Sequence, residues 1–123
     1  MYINTYMLSI AEDKKAQYLD LAQTFLELYK RFGAVEVFEN WESDIPDGEF
    51  TDYRKAVQAK PGEKIILAWV IWPDRATADT AHKGMFEDTQ MAALSDMPFD
   101  GKRMILGGFE PMLHFHKSDL DLV

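Results

Sequence analysis

Residues 65–72 read IILAWVIW, eight apolar residues in a row between a Pro-Gly turn at 61–62 and Pro73. β-branched and aromatic side chains dominate the run, and turn residues bound it on both sides, so it reads as a strand. Alternating side chains point to opposite faces of a sheet, and here both sets are apolar. Such a strand is central and covered on both sides. At eight residues it is far too short to span a bilayer. Whatever else the chain does, it must supply a layer for each face of this strand.

The flanking sequence supplies one layer. Tyr2–Ile10 reads as a first strand, and SIAE at 9–12 places Ser9 and Glu12 as a capping box for a helix from about Ala11 to Phe32. Tyr18, Leu21, Ala22, Phe25, Leu28, Tyr29 and Phe32 recur along it at helical spacing, and Gly33 supplies its left-handed end. AVEVFENW at 34–41 reads as a second strand. YRKAVQA and KIILAWVIW flank KPGE and read as a hairpin. Pro73-Asp74 ends the central strand and caps a helix over 75–87, with Ala78, Ala81, Met85 and Phe86 on its apolar face. A short helical turn is expected at 90–94, then a loop at MPFDG and a last strand in RMILGGFEP. The order is the βαββαβ of ferredoxin-like domains, an α+β fold with an antiparallel sheet in one domain spanning 1–123. Two helices cover only one face of that sheet. A homodimer is therefore expected, in which a second copy covers the other.

Composition narrows the function. Thirteen basic residues against 21 acidic ones leave a net charge of −8, which repels phosphate backbones and anionic headgroups, so neither nucleic acid nor membrane is an expected partner. Cysteine is absent, which excludes disulfides, thiolate catalysis and Cys-ligated metals. The N-terminal MYINTYMLSIAEDKK has no basic region followed by an apolar run, so no signal peptide is expected and the cytoplasm is the default.

Several motifs remain. Gly101-Lys102 resembles a phosphate loop only superficially: the upstream glycine is missing, Arg103 replaces the hydroxyl residue and a strand follows. Gly107 and Gly108 interrupt a good strand, which signals a bulge, a bend, or close approach by a backbone, ring or ligand; a bend of the last strand is favoured over a ligand contact, because bulges are the commoner cause. His114 and His116 alternate and suit a metal if a third ligand is near; a solvated tail is the simpler reading, and neither a metal nor a cofactor is expected. His82 falls on or beside the apolar stripe of its helix. The acidic stretch ESDIPDGEFTDYR lacks EF-hand register and reads as a solvated loop or the rim of a barrel mouth.

FGAVEVFENWESDIPDGEFTDYRKAV, ILAWVIWPDRATAD and MPFDGKRMILGGFEP together resemble the bacterial family catalogued as domain of unknown function 1428 (DUF1428), over about residues 2–112. That resemblance implies the dimeric α/β-barrel superfamily, in which two protomers pack their open sheet faces together. Its relatives include cofactor-independent monooxygenases, haem-degrading enzymes, muconolactone isomerases and amino-acid-sensing domains, and fold alone does not choose among them. The tail LHFHKSDLDLV extends past the family pattern, and Asn40 stands where many relatives are expected to carry cysteine.

Within such a barrel the expected ligand-contacting set is Tyr6, Trp69, Gly107 and Gly108, with Glu110 as a partly desolvated general base. An apolar or aromatic small molecule suits that set. The alternative is a non-catalytic regulatory or interaction dimer whose aromatic surface serves self-association, with Glu110 merely paired to Arg103 or Arg54 or exposed.

Overall fold

In a computed structural model of the chain, residues 1–88 and 97–118 are described. Strand β1 spans Tyr2–Ala11, helix α1 Lys15–Arg31, β2 Glu36–Trp41, a one-turn helix α2 Tyr53–Ala56, β3 Glu63–Trp72, α3 Arg75–Glu87 and β4 Ile105–Phe109. The four strands form one sheet in the order β2-β3-β1-β4, and every neighbouring pair is antiparallel. This is α+β architecture with ferredoxin-like topology. The apolar run at 65–72 is central, paired along its length with β1 and also with β2.

Helices α1 and α3 cover one face. Tyr18, Leu21, Leu28 and Tyr29 of α1 are buried. Tyr18 packs with Leu8 and Ile10 of β1 and Ile66 of β3, and Leu28 and Tyr29 with Val70 and Trp72 of β3, all strand residues at even positions that register places on one face. Lys30 and Arg31 sit in the last turn of α1, where the helix dipole favours cations. Gly33 closes the helix at φ +98°, a left-handed conformation that needs no β-carbon. Asp74 caps α3 as expected, accepting from the Thr77 amide at 2.7 Å. The turn expected at 90–94 and the side chain of Phe86 lie outside the described residues.

Two expectations are corrected. Residues 53–59 do not form a strand of a hairpin. Both edges of β3 are already occupied, by β1 and β2, and the Asp52 carboxylate accepts from the Lys55 amide at 2.7 Å and the Gly48 amide at 3.0 Å. That cap starts a helical turn, and Gln58 ends the segment at φ +52°.

Ser9 does not cap α1 either. β1 continues to Ala11, a 3-10 turn over Glu12–Lys14 follows, and α1 begins at Lys15 without a side-chain cap. Ser9 instead donates to Glu63 Oε1 at 3.2 Å and accepts from Arg103 Nη1 at 3.0 Å.

Candidate functional site

The face of the sheet opposite the helices is formed by odd positions of β1, β3 and β4 and even positions of β2. Between Glu36 at one corner and Glu63 at the far end, its strand positions carry no charge. Ile3 and Met7 come from β1, Phe38 from β2, Leu67, Trp69 and Ile71 from β3, Ile105 and Phe109 from β4. Phe38 and Trp69 are directly opposed, with ring centroids 5.0 Å apart, a spacing at which aromatic pairs attract. Phe38 is 41% exposed and Phe109 57%. The face offers few polar groups. Thr5 is one; Asn40 is another, but its amide already donates to Leu67 O at 2.9 Å.

One end of this face is closed by the chain itself. Ile65 belongs to the open face by register, yet it is buried, as is Val57 in the β2–β3 connection. That connection is tied down there. The Glu42 amide and carboxylate bond to Ile65, and Arg54 donates to Glu63 O at 2.9 Å.

Arg103 completes the closure. Its Nη1 donates to Glu63 Oε1 at 2.8 Å and Gln58 O at 2.9 Å, its Nη2 to Glu63 Oε2 at 3.0 Å and its Nε to Asp100 Oδ2 at 3.1 Å. The paired guanidinium holds the Glu63 carboxyl down to about 2. Beside it, Lys14, Pro98 and Phe99 complete a recess of about 320 Å³. The MPFDGKR stretch is thus a clasp that fixes the start of β4, with Asp100 also accepting from the Lys102 amide.

Polar chemistry on the helix side is of another kind. Tyr6 Oη and His82 Nε2 share a hydrogen bond of 3.3 Å, and the His82 ring meets Trp72 edge to face. Burial pushes the Tyr6 and Tyr29 hydroxyls up, so both stay neutral donors. Tyr18 donates to Glu39 Oε2 at 2.7 Å. Burial beneath its neighbours raises the Glu39 carboxyl, although the residue keeps more than a third of its surface in solvent, which softens the effect. The Trp72 indole N–H and Asn4 Oδ1 are buried without partners.

The expected set divides between these faces. Trp69 and Gly107 lie on the open face; Tyr6 and Gly108 lie on the helix face. Glu110 follows the end of β4 and is exposed. Tyr6, Trp69 and Glu110 therefore do not converge within one protomer. Arg103 and Arg54 pair with other acids, not with Glu110.

The two glycines do not form a bulge, because β4 pairs one-to-one with β1 through both. An aromatic ring explains Gly108: a β-carbon there would lie 1.9 Å from Tyr2 Oη and 2.7 Å from its Cζ. Gly107 sits beneath the Phe109 ring. His114 and His116 are both exposed. Among the described residues, no group of three or more His, Asp or Glu is placed to hold a metal, and no helix is long and apolar enough to cross a membrane.

Phe38 and Glu39 are structural participants that sequence reasoning passed over, and Arg103, expected at most to pair with Glu110, pairs with Glu63 and Asp100. Glu39 carried a signal, since it alternates with Val37 and Trp41 and so must point inward with them.

Comparison with other proteins agrees with the motif blocks. The chain is 40% identical over 113 residues to the protein described as uncharacterized protein YbaA of Escherichia coli (strain K12), covering 91% of this chain and 97% of that one. The protein of that description from Shigella flexneri matches to the same extent. A solved structure, the de novo designed protein Foldit4, superposes at a TM-score of 0.44 with 13% identity, over 89% of this chain and 97% of its own. Residues 1–101 match the family described as protein of unknown function (DUF1428), and the chain belongs to that family.

Proposed function

We propose that the protein works as a homodimer in which two open sheet faces meet and enclose a cavity for a small apolar or aromatic molecule. The observation that carries this reading is the uncharged face bearing Ile3, Met7, Phe38, Trp69 and Phe109, on a chain with a net charge of −8. Leaving such a surface in water is unfavourable, and patches of this kind mark interaction or ligand sites. The Phe38 and Trp69 rings, inclined at 37°, supply aromatic surface against which a planar ligand can pack.

A second reading is favoured by the scarcity of polar groups on the face. With Asn40 engaged to Leu67 O, the face resembles an interface core, and the dimer then serves interaction or regulation without a ligand.

Titration with a planar aromatic probe, 2-naphthol, separates the two. Saturable quenching of tryptophan fluorescence at about one probe per protomer, abolished in Phe38→Asp, supports the ligand cavity. A dimer that shows no saturable quenching up to millimolar probe contradicts it and leaves the interaction dimer.

A further inference from the structure

Beyond β4 the chain runs on through Met112, Leu113 and Phe115, which are 98%, 93% and 66% exposed. Three apolar side chains in four residues are thus exposed, Met112 and Leu113 almost completely and Phe115 across about two thirds of its surface. They follow directly from Phe109, itself on the open face. The family model's match ends at residue 101, before β4, while the 113-residue alignment with YbaA takes in most of the chain.

Area says what covers the arm. The uncovered part of the open face spans four strands at ~4.8 Å spacing and about five residues at ~3.3 Å each. That is roughly 300–500 Å² per protomer, or 600–1,000 Å² for two, short of the ~1,200–2,000 Å² of a stable specific interface. Side chains of this size each remove on the order of 150 Å² when buried. Two arms bring the total into the stable range.

Topology says where the arm goes. It leaves the end of the sheet where Phe109 pairs with Ile3, whereas the β2–β3 connection lies at the opposite end, beyond Ala11 and Glu63. That connection exposes Phe50, at 91%, and the acids Asp44, Asp47 and Glu49. The ten residues of β1 separate the two ends by about 33 Å. A two-fold axis along the strands would set arm beside arm; one across them would set the arm of one copy beside the connection of the other, and the match of Lys117 to the exposed acids there favours the second.

We infer that residues 110–117 form an exchanged arm that docks on the partner copy, apolar side chains against Phe50 and Lys117 against the acidic connection. This rests on the dimeric reading above.

The test compares the full chain with the triple variant Met112→Ser, Leu113→Ser, Phe115→Ser by analytical ultracentrifugation over a range of concentrations, with circular dichroism to verify folding. A photo-crosslinking residue is placed at 115 in parallel. The expected result is a dimer dissociation constant raised at least about 100-fold in the variant, and crosslinks from 115 into the 42–56 segment of the other copy. Unchanged dimerisation of the variant, or crosslinks confined to its own protomer or only to other proteins in a lysate, overturns the exchanged arm and leaves the sheet-to-sheet dimer standing. A wild-type chain that stays monomeric overturns both.

Discussion

Replacing Arg103 with methionine removes the clasp at the end of the sheet while keeping most of the side chain's bulk. The loss follows from its partners. Glu63, held to about 2 against an ordinary 4.5 chiefly by the Arg103 hydrogen bonds, contributes at most ~3.4 kcal/mol by linkage. Each side chain is only 13% exposed, but the pair sits at the protein surface with little protein beyond it, so solvent still screens it. Screening reduces the figure to ~1–2 kcal/mol. Ser9 Oγ and Gln58 O also lose a donor, which adds about 1 kcal/mol. Arg103→Met should therefore cost ~2–3 kcal/mol at pH 7, or about 10 °C in Tm for a chain of this length. The sign with pH is fixed. A carboxyl held below its unfolded value stabilises the fold above that value, and the contribution is lost as pH falls from about 4.5 through about 2. Urea unfolding at fixed protein concentration across pH 2–7 should show wild type and variant converging in that window. Parallel curves, or a variant as stable as wild type at pH 7, would refute the clasp.

Gly108→Val should destabilise by ~1–3 kcal/mol because its side chain collides with Tyr2, and Tyr2→Ala should recover more than half of that loss in thermal unfolding. Strict additivity of the two substitutions would show that the ring is not the obstacle. Tyr18→Phe removes the hydrogen bond that partly offsets the burial of the Glu39 carboxylate. Since a raised carboxyl destabilises as pH climbs past its unfolded value, the variant should match wild type near pH 4 and fall ~0.5–1 kcal/mol below it at pH 7. A deficit of equal size at both pH values would contradict that origin.

Strand, helix and core were legible because they rest on periodicity. The run at 65–72 is central, the stripe from Tyr18 to Tyr29 is buried, and Trp69 and Trp72 face opposite ways as alternation requires. Local signals misled where a longer-range partner outcompeted them. Ser9 and Glu12 have capping-box spacing, but an arginine 94 residues away takes the serine. The segment at 53–59 has strand composition, but β3 has no free edge for it and Asp52 starts a helix. For Gly107-Gly108 the sequence favours a bend over a close approach, whereas β4 pairs one-to-one with β1 through both and an aromatic ring of the same chain lies against each. The grouping of Tyr6 with Trp69 failed because their strands run antiparallel in a register that puts even and odd positions on opposite faces, and register is set by pairing, not by either strand alone.

The mass of the particle in solution bears most directly on the proposal that a second copy covers the open face. Size-exclusion chromatography with multi-angle light scattering at micromolar protomer should return about 28 kDa, twice the 14.2 kDa of one chain, and Phe38→Asp, which sets a charge against Trp69 in the middle of the face, should shift it to the protomer mass. A wild-type particle of 14.2 kDa at those concentrations would contradict the dimer and the cavity together.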